Sequence, residues 1–103
     1  EWAHVEGLAY PLDFPVYIVA PKGKGSWRAE KLVQYAKYLG HPVIVVASEK
    51  DEFMKEHADY LLPIMGEVDE VFSPMVTHLA SCLYAHNLIK ETGRLKALPN
   101  ACN

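Results

Sequence analysis

The sequence predicts an α/β fold in which three parallel strands alternate with three helices in the order β-α-β-α-β-α. Two apolar, β-branched runs, at residues 16–20 and 43–47, are continuous rather than alternating, which is typical of strands buried on both faces. Residues 27–39 have a helical apolar period, and a longer helical pattern follows residue 73. Because short connections join these segments, we expect parallel strands with right-handed crossovers.

Length and composition place the chain in the globular class. Its 103 residues suit one domain, residues 1–103, and its fractions of 50% hydrophobic and 22% charged residues exclude a disordered tail. A formal net charge of −3 argues against nucleic acid and anionic membrane surfaces as partners. No apolar run approaches the ~18 residues that a membrane span needs.

The cysteines and the first residues bear on the compartment. Cys82 and Cys102 are too few for a disulfide framework, so we expect free thiols in a reducing, cytoplasmic setting. The chain begins at Glu1 without Met, a basic region or an apolar region, which argues against a signal peptide. We expect the chain to be a piece of a longer protein.

The first half of the chain predicts a strand, a loop and a helix. Prolines in residues 1–15 remove ladder donors and favour a short helical or turn-like start over a central strand. The strand Val16–Ala20 leads through a loop rich in Gly and Lys into the helix 27–39. Gly40 is a natural residue to follow a helix end.

The segment after the second strand predicts a short helix and a third strand. Ser48 to Asp51 resembles a capping box, which makes Ser48 the expected N-cap of a helix that ends near Ala58. A weaker strand follows at residues 60–64. Its Pro63 assigns it to an edge or an end of the sheet.

The last helix is the longest predicted element. Ser73 is its expected N-cap and Pro74 its first residue, and Gly93 stops it after about Thr92. A wide apolar stripe comprises Met75, Val76, Leu79, Cys82, Leu83, Leu88 and Ile89. One short element cannot hide such a stripe, so we expect a homo-oligomer that forms through the 73–92 helix.

The loop after the first strand is a candidate anion site. Glycines let backbone amides approach a ligand, a helix N-terminus favours an anion, and two lysines add positive charge. The loop matches neither G-x-x-x-x-G-K-[ST] nor G-x-G-x-x-G, so a solvated loop without a ligand remains the alternative. The candidate phosphate-binding residues are Lys22, Gly23, Lys24, Gly25 and Ser26.

Histidines provide two further candidates. His78, Cys82 and His86 are zinc-ligand types on one helix stripe, but they span about 12 Å of helix axis and cannot converge on one ion. We therefore expect an interface stripe, no metal and no cofactor. His4 lies near Glu1 and suits proton transfer, because imidazole titrates near neutrality and a carboxylate can orient its ring. A surface histidine is the alternative.

Several segments together resemble the sugar isomerase (SIS) domain family. In chain order they are Glu1 to His4, Phe14 to Pro21, Ala58 to Pro63, Glu70 to Pro74, and Leu79 to Tyr84 with Gly93. Their order and spacing are similar to the isomerase part of the glutamine–fructose-6-phosphate transaminases and related phosphosugar isomerases and deglycases. The resemblance covers nearly all of residues 1–93.

The resemblance implies a three-layer αβα sandwich, the second half of a flavodoxin-like domain, and phosphosugar chemistry. Such enzymes open a sugar-phosphate ring and move a proton between C1 and C2 through an enediol or enolamine. The family's E-x-x-H-G motif matches Glu1 and His4, which implies a proton-transfer role for His4 in ring opening, with Glu1 as its companion.

The chain also departs from the family pattern. Val5 and Glu6 stand where the family has Gly-Pro, and residues 94–103 do not reproduce its lysine-bearing tail. The family's phosphate-cradling Ser/Thr loop and helix-borne catalytic Glu would lie upstream of Glu1. The chain therefore resembles half of a domain that lacks most of an active site, and we expect it to be inactive alone.

Two functions follow as predictions. The chain is part of a sugar-phosphate isomerase or aminosugar-forming isomerase, binds a phosphorylated sugar, and contributes His4 to a site shared with other segments or subunits. Alternatively, it is a non-catalytic regulatory module that binds a sugar phosphate, or an oligomerisation module.

Overall fold

The computed structural model describes residues 11–93, and its centre is one sheet of three parallel strands. The strands are β1 (Val16–Ala20), β2 (Val43–Ser48) and β3 (Tyr60–Ile64), in the order β1-β2-β3. Val16 pairs with Val43, and Ile44 pairs with Tyr60. The predicted α/β fold with parallel strands is confirmed, and Pro63 lies on an outer strand of the described sheet, as expected.

Helices cover both faces of the sheet and make three layers. Helices α1 (Ser26–Leu39) and α2 (Glu52–His57) pack on one face, where they bury a common apolar core with the strands. A single 3₁₀ turn, Glu70–Phe72, precedes α3 (Ser73–Glu91), which packs on the opposite face. There the hydroxyl of Tyr17 in β1 lies 3.1 Å from Ser81 Oγ.

The central strand β2 is buried on both of its faces. The most enclosed side chains of β2 are those of Val43, Val45 and Val46, each with 0% exposure. On the α1 side Val43 and Val45 join Val33, Ala36 and Met54 in the core, whereas Val46 lies on the opposite face of the strand. Burial of a valine side chain contributes roughly 1.5–3 kcal/mol, which explains why a continuous β-branched run specifies this strand rather than an alternating one.

Glycine stops two helices where the sequence predicts it. Gly40 has φ 94° and follows α1; its N–H donates to Lys37 O (3.0 Å), while the N–H of His41 donates to Ala36 O (3.0 Å). These two bonds form a Schellman motif, which needs a left-handed residue at this position. Gly93 has φ 68° after α3.

The two predicted N-caps are corrected by the structure. Asp51, not Ser48, caps α2: its carboxylate accepts from the Met54 amide at 3.1 Å, because β2 continues through Ser48 and delays the helix start. Ser73 is the first residue of α3, and its hydroxyl donates to Glu70 O at 2.8 Å instead of accepting from the helix. The preceding 3₁₀ turn provides that carbonyl.

Asp59 joins three elements at the amino edge of the sheet. One carboxylate oxygen pairs with Lys37 Nζ of α1, and the other accepts from the Val43 amide at 2.8 Å. The Asp59 N–H donates back to Val43 O at 3.0 Å. The bond from Lys37 and the bond from the Val43 amide lower the pKa of Asp59, because both stabilise the ionised carboxylate.

The Asp59→Asn substitution is expected to reduce stability at neutral pH by about 1 kcal/mol, because the ion pair with Lys37 is lost while the amide acceptor remains. The lowered pKa means that the ionised group stabilises the fold above the ordinary aspartate pKa of about 3.9 and loses that effect as the pH falls through the folded-state pKa. Urea denaturation of both proteins from neutral to acidic pH should therefore give stabilities that converge at low pH.

Glu67→Gln is the matched control for Asp59→Asn. Glu67 also pairs with a lysine, Lys50, but its side chain is 88% exposed, so we expect a change below about 0.5 kcal/mol. A stability difference between Asp59→Asn and the unsubstituted chain that stays constant down to acidic pH would contradict the assigned role of the Asp59 carboxylate.

Candidate functional site

A cavity of about 380 Å³ lies at the carboxyl edge of the sheet, between the strand ends and the start of α3. Strands in a parallel sheet all end on the same edge, and ligands of open α/β sheets bind outside that edge. The floor is apolar and includes Ala20, Val46, Ala47 and Val76. The cavity is therefore where this fold places a small-molecule site.

Ser48, Ser73 and Thr77, each of which carries a hydroxyl group, are among the residues that line the cavity. Thr77 Oγ1 donates to Ser73 O at 3.0 Å, and Ser73 Oγ donates to Glu70 O at 2.8 Å, so both protons are used within the chain. Their oxygen lone pairs can still accept, since a hydroxyl has two. Ser48 Oγ accepts from the Lys50 amide at 3.2 Å and keeps its own proton to donate.

Charged groups of both signs surround the same cavity. Lys22 and Lys50 contribute positive charge, whereas Glu67, Asp69 and Glu70 contribute negative charge. Lys50 Nζ lies 3.1 Å from Glu67 Oε1, so this ion pair neutralises both groups. Carboxylates thus outnumber ammonium groups by one, and the cavity suits a ligand with hydroxyl groups better than it suits an anion.

The loop after β1, with its candidate phosphate-binding residues, makes hydrogen bonds within itself. Ser26 Oγ accepts from the Gly23 amide at 2.9 Å and donates to Gly23 O at 2.7 Å. Gly25 is the N-cap of α1, without a side-chain capping bond. Lys22 lines the cavity, and Lys22 and Lys24 are both exposed. The Gly23 amide is therefore already hydrogen-bonded within the loop.

The carboxylate of Glu70 lies directly over Gly23. A Cβ at Gly23 would overlap the carboxylate carbon and both of its oxygens, so the absence of a side chain at Gly23 is what admits Glu70. A negative charge therefore stands beside the loop at Gly23, where it repels an anion that approaches this residue. Phosphate binding by this loop stays a prediction, and the structure identifies Glu70 as the group that opposes it.

The other residues predicted from the sequence lie elsewhere. Glu1 and His4 lie outside the described residues. Cys82 is exposed on α3, with its Sγ 3.5 Å from His78 Nε2, and His86 is exposed one turn further. Within residues 11–93 no three His, Cys, Asp or Glu side chains gather as a metal site requires.

A second depression lies at the amino edge of the sheet, around Lys37, His41 and Asp59. Its polar groups have structural partners: Asp59 binds Lys37 and the Val43 amide, and His41 Nδ1 lies 3.0 Å from Phe14 O. His41 is only 3% exposed. This depression is therefore a consequence of how the strands start, and the carboxyl-edge cavity is the better candidate site.

Of the residues that line the cavity, the sequence analysis singles out Lys22 as a candidate for ligand binding and misses the other polar ones. The sequence predicts Ser48 as a helix cap, and it assigns no binding role to Asp69 or Glu70. One signal could have found them, since each follows a predicted strand of a parallel sheet and must lie at the same edge. Thr77 had no such signal, because its position depends on how α3 crosses the sheet.

Comparison of the chain with protein-family models, curated proteins and solved structures gave no match. The resemblance to the SIS family therefore remains an interpretation of the motifs in the sequence. No helix within residues 11–93 is both long enough and apolar enough to cross a membrane.

Replacing Glu70 by Gln is expected to strengthen binding of inorganic phosphate at the loop after β1. The substitution removes the carboxylate that lies over Gly23. Removal of a like charge about 4 Å away corresponds to at least about a fivefold gain in affinity, the value for full screening by bulk water. A titration with phosphate, followed through the backbone amide chemical shifts of residues 22–26, measures it.

Glu67→Gln is the control for charge alone, because it removes the same charge from the cavity wall at a position that pairs with Lys50. We expect little change in phosphate affinity for this variant. Equal gains in the two variants would mean that the overall charge of the wall, and not the contact of Glu70 with the loop, limits anion binding.

Proposed function

We propose that the chain is a phosphosugar-binding domain of the SIS type and part of an isomerase that acts by ring opening and proton transfer between C1 and C2. The observation that carries the proposal is the hydroxyl-lined cavity at the carboxyl edge of three parallel strands. This is the edge at which α/β sheets bind small molecules. The motif resemblance supports the choice of a sugar phosphate as the ligand.

The charges around the cavity indicate which part of the ligand it takes. Glu67, Asp69 and Glu70 provide acceptors for sugar hydroxyls, and Lys50 and Ser48 provide donors. A phosphate would meet the Glu70 carboxylate at the loop after β1. The cavity therefore holds the polyhydroxyl part of the ligand, and the phosphate is held by a segment outside residues 11–93.

The chemistry of the proposed reaction needs no redox partner. A base removes the proton on C2 of the open aldose while the C1 carbonyl oxygen gains a proton, which gives an enediol. The C2 hydroxyl then loses its proton as a proton returns to C1, which gives the ketose. His4, with Glu1 as its companion, fits the preceding step, in which an imidazole moves the proton between the ring oxygen and the anomeric hydroxyl.

A non-catalytic oligomerisation or regulatory module is the second candidate. One observation favours it: the side of α3 that faces away from the sheet exposes large apolar side chains, including Met75, Leu79 and Leu83. Exposed apolar surface of this kind marks an interaction site. Isomerase activity in a longer chain that contains residues 1–103 distinguishes the two candidates.

The Val76→Trp substitution is expected to abolish sugar binding, because Val76 lines the cavity floor and an indole would fill the space. Isothermal titration with fructose 6-phosphate and with fructose measures both affinities. We expect the two ligands to bind the unsubstituted chain equally well, since the cavity holds hydroxyl groups rather than phosphate. Ala85→Trp is the matched control, on an exposed position of the same helix.

Replacing Lys22 and Lys24 together by Ala is expected to leave fructose 6-phosphate binding unchanged. In the resembled family the phosphate-binding loop follows a different strand, and here Glu70 already opposes an anion at the loop. If the unsubstituted chain binds fructose 6-phosphate but not fructose, and the double substitution abolishes that binding, the site lies at the loop after β1 and not in the cavity.

Residues 1–103 alone are expected to show no interconversion of fructose 6-phosphate and glucose 6-phosphate. Proton transfer between carbons needs a base, a ring-opening group and a phosphate cradle preorganised together, and only His4 is a candidate for one of them. A coupled enzyme assay tests this. In a longer chain with activity, His4→Asn should lower turnover of the cyclic sugar far more than affinity for an open-chain analogue.

A further inference from the structure

The side of α3 that faces away from the sheet is apolar and exposed. We define this outer face as Val71, Phe72, Met75, Leu79 and Leu83. Met75 is 70% exposed, Leu79 63% and Leu83 64%. Met75, Leu79 and Leu83 recur every four residues and form one continuous stripe along α3, and Val71 and Phe72 extend it into the preceding 3₁₀ turn.

The side of α3 that packs on the sheet is more polar than its outer face. Ser73, Thr77, Ser81 and Tyr84 lie there, with Ser81 Oγ 3.1 Å from the Tyr17 hydroxyl and the Tyr84 ring stacked on Tyr17 at 5.1 Å. A helix that packs only against one sheet normally turns its apolar side toward the sheet and its polar side toward solvent. The apolar outer face is therefore unexplained by packing within the described chain.

Charges lie only at the two ends of this surface. Residues 73–89 contain no Asp, Glu, Lys or Arg, which is unusual for an exposed helix of a monomer. Asp69 and Glu70 precede α3, and Lys90 and Glu91 end it. At about 100° per residue, Lys90 lies within about 20° of Leu79 around the helix, whereas Glu91 lies about 120° away from it. The surface thus carries negative charge at one end, positive charge at the other and apolar side chains between.

We propose that the outer face of α3 binds the same face of a second copy of this chain, with the two helices antiparallel. A two-fold axis at Leu79 sets Leu79 against the partner's Leu79 and Met75 against the partner's Leu83. The same axis brings Lys90 beside the partner's Asp69 at both ends of the pair. Parallel helices would instead bring acidic ends together, and the helix dipoles also favour the antiparallel arrangement.

The area of the outer face fits a dimer contact of this kind. Its five side chains are large and mostly exposed, and each offers on the order of 100 Å². Together they provide more than half of the roughly 800 Å² that one partner contributes to a standard interface. Leu79, at the centre, is the position where a substitution has the largest effect.

Sedimentation equilibrium of residues 1–103 tests the proposal. We expect a dimer whose dissociation constant rises at least about 30-fold on Leu79→Glu, because two carboxylates would then meet at the axis. Tyr38→Glu is the control, on a residue of α1 that is 85% exposed, and should remain dimeric. Circular dichroism checks that both variants fold, which we expect because both positions are exposed.

Charge reversal and cross-linking test the orientation. Lys90→Glu should weaken the dimer, and adding Asp69→Lys should restore it. In a Cys82→Ser, Cys102→Ser background, Leu79→Cys should form a disulfide-linked dimer on oxidation. Met75→Cys should not cross-link to itself, but a mixture of Met75→Cys and Leu83→Cys chains should give the mixed dimer.

Three outcomes overturn the proposal. A monomer at all concentrations would assign the outer face to another segment or another protein. A dimer that Leu79→Glu does not weaken would use a different surface. Self-cross-linking of Met75→Cys would establish a parallel pair of helices and contradict the two-fold axis at Leu79.

Discussion

The burial of β2 on both faces is the constraint on which the rest of the structure depends. Val45 contacts the core under α1, while Val46, on the opposite face, lies beneath the cavity. Both neighbouring strands take their register from β2, and a shift by one residue would exchange the side chains of its two faces. Asp59 holds the first residue of β2, Val43, through both its carboxylate and its amide.

The same sheet determines where chemistry is possible. Since the three strands are parallel, the loops that follow them converge at one edge, and the cavity lies where those loops meet the start of α3. Gly23 comes from the loop after β1 and Glu70 from the 3₁₀ turn before α3, and they meet there because Gly23 has no side chain. The electrostatic character of the site therefore depends on a contact between two distant segments rather than on a motif within one of them.

Local patterns predicted the strands and the C-terminal ends of the helices well, and predicted the N-caps and the contacts between distant segments poorly. The run at β2 and the glycine after α1 were recognisable because burial on two faces and a left-handed residue each leave a local signature. The N-cap at Asp51 was missed, since Ser48 is an equally good capping residue and the choice depends on where β2 ends. The apolar stripe of α3 was recognised, but which side faces the sheet depends on Tyr17. The contact between Glu70 and Gly23 leaves no local signature at all.

The order of the strands has a consequence for how the chain folds. Each strand pairs with the next one along the chain, so only a short stretch of chain separates the partners of each pair. β1 and β2 can therefore pair before the C-terminal part of the chain has been synthesised. The contact between Tyr17 and Ser81, in contrast, joins residues 64 positions apart. We therefore expect the sheet and its α1 side to form first during synthesis, and α3 to dock last, with the cavity completed only at that step.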